Sequence, residues 1–170
     1  MRRAVRTPGH SSTMHASAAR PRCYVASALG FTDAGSHYYE HVYLPALRAV
    51  VDPVDPWAMT TAEEVADARA ARREREFALE IGRRNADAIR DCTLLVAHLD
   101  GQEIDSGTAA EVGFAAALGL RCFGLRTDIR ENGEPGVSLN LQVEYFLMAS
   151  GGSLCTTLDA LVAALADAAK

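Results

Sequence analysis

Asp105 and Glu111 stand six residues apart in the stretch "DSGTAAEVG", Asp105 to Gly113, among residues that are almost all small. Two carboxyl groups placed around one anomeric carbon are the usual equipment for cleaving a glycosidic bond, one attacking the sugar and the other serving the leaving group. Gly107, Ala109, Ala110 and Gly113 leave room for a substrate against the Glu111 carboxylate. With Glu111 in the first turn of a helix, the helix N-terminus is expected to hold its pKa low and keep it ionised, as a nucleophile requires. Thr108 to Glu111, "TAAE", also fits a capping box, in which the Thr hydroxyl and the Glu carboxylate only satisfy orphan backbone donors. On the residues alone both readings stand.

Whatever the pair does, other elements must position it. "TLLVAHLDGQEIDSGTAAEVGFAAALG" reads as a buried strand, a turn and a helix closed by Gly119 at its C-terminal cap. Similar strand-like runs occur at 23–28, 49–54, 93–99, 121–125 and, more weakly, 153–155. Helical patterns run between and after them, from His37 to Ala49, Ala62 to Arg90, Thr108 to Leu118, Ser138 to Met148 and Leu158 to Ala168, with Gly82 a candidate break in the second. This alternation predicts a flavodoxin-like α/β fold, a five-stranded parallel sheet with helices on both faces. Ligands of such sheets bind beyond the carboxyl ends of the strands. The segments expected on that rim are "LGFTDAG", "DPW", "DGQEIDSGT" and "RTDIRENGEPGVSLN".

The chain of 170 residues is about half apolar and carries a net charge of -5, which suits one domain with a proper core and argues against a nucleic-acid surface. Residues 1–21 are rich in Ser, Arg and Pro without hydrophobic period and are expected to be a flexible tail before a single domain at 22–170. Cys23, Cys92, Cys122 and Cys155 lack metal-ligand spacing and read as reduced core residues of a cytoplasmic protein. No run is long enough to span a membrane, and no signal-peptide pattern is present, so no membrane partner is expected.

"YVASALGF", "NADAIRDCTLLVAHLDGQEIDSGTAAEVGFAAALGLRCFGLRTDIR" and "NLQVEYF" resemble, in order, the nucleoside 2-deoxyribosyltransferase family over most of residues 23–150. The resemblance implies a flavodoxin-like homo-oligomer with shared active sites and no cofactor. Such an enzyme exchanges the base of a 2'-deoxyribonucleoside through a covalent deoxyribosyl-enzyme intermediate, so its partners are nucleosides and free nucleobases. Carried across, it makes Glu111 the nucleophile at C1', Asp105 the group assisting proton transfer at the base, and Tyr24 the residue that orients the nucleophile. It makes Asn140 a residue lent to a neighbouring subunit near the sugar 5'-hydroxyl. Where the family commonly has a second base-contacting aspartate, this sequence has Asn85, with Asp87 two residues on. An amide can bond a base edge but is no acid at neutral pH. Either Asp105 handles the proton alone, or Asp87 substitutes through a shifted helix.

Ser27, Phe31, Gly107 and Trp57 are further candidates for lining the substrate site; Trp57 either stacks on a base or anchors its loop. His37 and His41 are one helical turn apart but lack a third ligand, so no metal is expected. His98 reads as a rim residue or a satisfied polar group, and Arg126, Asp128 and Arg130 as ion-paired or ligand-facing. "VSLNLQVEYFL" suits core packing or an oligomer interface. Two other activities stay open: hydrolysis of the N-glycosidic bond of a nucleoside or nucleoside 5'-monophosphate, and a non-catalytic nucleotide-binding module in which Glu111 only caps its helix. Ser27 alone offers little for a 5'-phosphate, so the nucleoside is preferred.

Overall fold

A computed structural model of the chain describes residues 19–131 and 133–170. Residues 1–18 of the expected tail lie outside the described residues. Its last residue, Pro21, is already tied to the fold, because its carbonyl accepts from the Asp52 N–H at 3.0 Å.

The strands are β1 (Arg22–Ala26), β2 (Asp52–Val54), β3 (Leu94–His98), β4 (Arg121–Leu125) and β5 (Ser153–Cys155). They pair in parallel in the order β2-β1-β3-β4-β5, the flavodoxin-like arrangement. The helices are α1 (Asp33–Tyr38), α2 (Leu44–Arg48), α3 (Ala62–Ala70), α4 (Glu74–Arg90), α5 (Ser106–Ala117), α6 (Leu141–Ala149) and α7 (Leu158–Ala168). A single wider turn of π-helix, Tyr39–Tyr43, joins α1 to α2.

Side chains of a strand alternate between its faces, and here the alternation sorts two cores. Cys23, Val25, Leu94, Val96, Phe123 and Leu125 pack with Leu44, Leu47, Leu161 and Leu165 under α2 and α7. Tyr24, Ala26, Leu95, Ala97 and Cys122 pack with Ile89, Val112, Ala115, Val143 and Leu147 under α4, α5 and α6. The cysteines are free and buried. Burial pushes the thiols of Cys92 and Cys122 up to about 11, which keeps them neutral core groups at physiological pH.

The long charged helix expected from Ala62 to Arg90 is two helices, and its break lies at Arg72 rather than Gly82. Arg72 takes a left-handed backbone (φ 55°). The Arg72 N–H donates to the Arg69 carbonyl at 3.0 Å and the Arg73 N–H to the Ala68 carbonyl at 2.8 Å, closing α3 with a Schellman motif. Gly82 lies inside α4, where a Cβ would meet nothing within 4 Å. The folding back of α3 on α4 at Arg72 brings a third wall to the strand ends.

Candidate active site

At the carboxyl ends of the central strands a cavity of about 530 Å³ opens. Ser27 and Phe31 reach it from the loop after β1, Pro56 and Trp57 from the turn after β2, Val65 from α3, Ile81 and Asn85 from α4. Asp105, Gly107, Thr108 and Glu111 complete it from the start of α5. Three of the four expected rim segments thus meet here. The fourth, after β4, does not line this cavity but ties itself to the loop after β3: the Asp100 carboxylate accepts from Thr127 N at 2.5 Å and from Asp128 N at 2.9 Å.

The N-terminus of α5 decides what Glu111 is free to do. Asp105 is the N-cap, its Oδ2 accepting from Thr108 N at 2.8 Å and from Thr108 Oγ1 at 3.1 Å. This moves the helix start ahead of Thr108, so the capping box expected at Thr108–Glu111 does not form. Glu111 falls in the second turn. Its carboxylate turns instead toward β1, where the hydroxyl of Tyr24 donates to Oε1 at 2.6 Å, and toward α4, where Asn85 Nδ2 lies 3.5 Å from the same oxygen. Tyr24 can do this because strand parity points it to the face that α4 and α5 cover.

The electrostatics of Glu111 differ from expectation. Its pKa is raised, chiefly by burial and further by the charge of Asp105, while the Tyr24 and Asn85 hydrogen bonds pull it down. The helix dipole acts mainly within the first turn, and Glu111 lies beyond it. The result is a desolvated carboxylate, a stronger nucleophile than a water-covered one. Tyr24 is pushed well above the usual tyrosine range by burial and by Glu111, and so remains a neutral donor.

Trp57 is both anchored and site-lining: its Nε1–H donates to the Ser27 carbonyl at 3.2 Å, and its ring meets Phe31 edge-to-face at 4.7 Å. Gly30 makes room for that ring, since a Cβ there would lie 2.5 Å from it. Asp87 is not brought to the cavity. It lies on the outer side of α4, bonded to Arg83 at 2.6 Å and Arg90 at 3.0 Å. Asn140 lies away from the cavity as the N-cap of α6, accepting from Gln142 N at 3.0 Å and Val143 N at 3.4 Å. Leu141, Tyr145 and Met148 of that helix are exposed.

His98 faces the opposite side of the sheet, against Tyr38 and Tyr43, with burial lowering its pKa. Arg126 is buried and donates to the carbonyls of Leu99 at 2.7 Å and Arg130 at 2.9 Å, a structural clasp; Arg130 pairs with Asp128. His37 and His41 stack at 4.4 Å, and His41 Nδ1–H donates to the His37 carbonyl at 3.0 Å.

Thr60, Thr61, Val65 and Ile81 line the cavity without having been foreseen. Two signals pointed to them. Ile81 precedes Asn85 by one helical turn and so shares its face. "TAEE", Thr61–Glu64, is the capping box that does form: Glu64 N donates to Thr61 Oγ1 at 3.1 Å and Thr61 N to Glu64 Oε2 at 2.8 Å. A more open groove of about 640 Å³ between α3 and α4 is lined by ion pairs, among them Glu64–Arg84 at 2.8 Å and Glu80–Arg83 at 2.7 Å. It lies away from the strand ends.

Among solved structures, a conserved protein from Enterococcus faecalis V583 superposes with a TM-score of 0.64 at 21% identity, covering 88% of this chain and 99% of its own. A 2-desoxiribosyltransferase from Leishmania mexicana gives 0.62 at 26% identity, covering 86% and 97%. A 2-deoxyribosyltransferase from Bacillus psychrosaccharolyticus gives 0.57 at 15% identity, covering 83% and 90%, a likeness of fold. A search of curated proteins found no match. No helix among the described residues is long and apolar enough to cross a membrane. The family model described as nucleoside 2-deoxyribosyltransferase matches residues 23–148, the span that holds Tyr24 of β1, the Asp105–Glu111 helix start and all but the last residue of α6. With the fold and the family model in agreement over most of its length, the chain belongs to the nucleoside 2-deoxyribosyltransferase family.

Proposed function

We propose that this protein transfers the 2-deoxyribosyl group of a 2'-deoxyribonucleoside from one nucleobase to another, with Glu111 as nucleophile. A deoxyribosyltransferase type of activity follows from the family; the roles of individual residues are our reading. The observation that carries it is the state of Glu111: half-buried at the cavity wall, with both hydrogen bonds on Oε1 and none from a described residue on Oε2. In this reading Oε2 forms a bond to C1' as the C1'–N bond breaks. The electron pair leaves with the base, which gains a proton with the help of Asp105. An incoming base then attacks C1', its proton passes to Asp105, and the C1'–Oε2 bond breaks. Two displacements retain the β configuration.

Phe31 and Trp57 supply the apolar surface on which a base would lie, beside Gly107 and Ser27. Asn85 stands at the base and Asp87 takes no part. Among the described residues lining the cavity there is no Lys, Arg or His, while Asp105 and Glu111 are present. A 5'-phosphate would meet negative charge without a partner, which favours nucleosides over nucleoside monophosphates. Asn140 and the exposed apolar residues of α6 fit a homo-oligomer in which a neighbouring copy completes the sugar site. Residues 22–170 act as one domain of a cytoplasmic protein.

The test is incubation with 2'-deoxyinosine and excess adenine, with Glu111→Gln in parallel. Formation of 2'-deoxyadenosine by the parent protein alone supports the transferase. Release of hypoxanthine without exchange makes water the acceptor and the protein a hydrolase. Binding without turnover in both proteins would return Glu111 to a binding role.

A further inference from the structure

The Glu111 carboxylate has two oxygens, and both side chains that reach it choose the same one. Tyr24 donates to Oε1 from β1 at 2.6 Å, and Asn85 Nδ2 approaches Oε1 from α4 at 3.5 Å. An ionised carboxylate only accepts, so the Asn85 amide must turn its NH2 toward Glu111 and its Oδ1 away. Oε1 is thereby held on the side of β1 and α4, and Oε2 receives no donor from a described residue. Resting on the reading of Glu111 as nucleophile, we propose that Asn85 is a positioning residue. With Tyr24 it fixes Oε1 so that Oε2 is the attacking atom, and as an amide it limits the cavity to two carboxylates.

The surroundings explain why an amide matters at this position. Among the described residues, the charged or titratable groups facing Glu111 are Tyr24 from β1 and Asp105 from the loop before α5. From α3, α4 and the turn after β2 the cavity receives Trp57, Thr60, Thr61, Val65 and Ile81, all uncharged. Arg84, next to Asn85 in sequence, is committed to Glu64 at 2.8 Å and Glu80 at 3.2 Å. A third carboxylate at position 85 would press on a group that burial already makes hard to ionise, with no cation among the described lining residues to offset it. Asn85 instead helps to hold the Glu111 pKa down. At 3.5 Å its bond is the weaker of the two, so Tyr24 has the larger effect.

The experiment is an infrared titration of protein labelled with carboxyl-13C glutamate, the Glu111 band being identified by subtraction of Glu111→Gln. It is run on the parent protein, Asn85→Ala and Asn85→Asp, with circular dichroism to verify folding and with kcat and KM for base exchange alongside. The Glu111 midpoint should rise by about one pH unit or more in Asn85→Asp and by less in Asn85→Ala. The acid limb of kcat/KM should move the same way. A midpoint equal to the parent's in both variants would overturn the proposal, even if KM for the base changed. Absence of base exchange in the parent protein counts against the nucleophile, whereas the infrared midpoints still decide whether Asn85 acts on Glu111.

Discussion

Tyr24 and Glu111 are 87 positions apart in the chain and 2.6 Å apart in the fold, hydroxyl to carboxylate. The sheet makes this meeting: Tyr24 lies on β1 opposite Leu95 of β3, and the helix carrying Glu111 begins just beyond β3. A hydrogen bond to a charged group of this kind contributes about 1.5–3 kcal/mol.

Replacing Tyr24 by Phe should therefore lower kcat by roughly 10- to 100-fold. The lost bond is one that lowers the Glu111 pKa, so the acid limb of the pH–rate profile should shift to higher pH. Steady-state kinetics from acid to neutral pH check both; an unmoved acid limb would separate Tyr24 from the ionisation of Glu111.

Glu111→Gln should lose at least about a thousandfold in turnover and yet be the more stable protein at pH 7. The sign follows from burial. The folded-state pKa of Glu111 is raised, so the fold favours the protonated form, and the wild type loses stability as pH rises through that value. Gln carries no charge to desolvate. Below the unfolded-state pKa, about 4.3, both side chains are neutral and the two proteins should melt alike. Thermal unfolding at pH 4 and pH 7 tests this, and equal Tm values at both would contradict it.

Asp105 combines a capping role with the proposed proton relay, and two substitutions separate them. Asp105→Asn keeps a good N-cap acceptor for Thr108 N, so stability should change by less than about 0.5 kcal/mol while base exchange falls steeply. Asp105→Ala should lose activity and also about 1 kcal/mol of stability. Denaturant unfolding beside the exchange assay distinguishes the two effects.

Arg72 occupies a left-handed backbone position at the close of α3, with φ 55°. Glycine adopts that geometry without the Cβ penalty, so Arg72→Gly should raise stability by up to about 1 kcal/mol, read as a higher denaturant midpoint at unchanged m. Activity should be unaffected, as Arg72 does not line the cavity.

The strands were legible because a parallel sheet covered on both faces needs continuous apolar runs, and such runs are visible without knowledge of their partners. The helix start was less so. Thr108 and Asp105 both announce an N-cap, and only the geometry shows that Asp105 takes it and Thr108 becomes its donor. Arg72 gave no signal, since a left-handed cap is usually written with Gly, and Gly82 drew the break to the wrong place. Asp87 is two residues from Asn85, roughly 200° around the helix, so one faces the cavity and the other the solvent. The raised Glu111 pKa comes from burial by elements distant in sequence, which no local pattern records.

Trp57 is the one tryptophan of the chain, and it forms part of the cavity wall. The intrinsic emission of the molecule on excitation at the red edge of protein absorbance thus originates at a single point, beside the place where a base would lie. A purine or pyrimidine seated there would quench or shift that emission, so occupancy can be followed in unlabelled protein, free of any coupling to turnover.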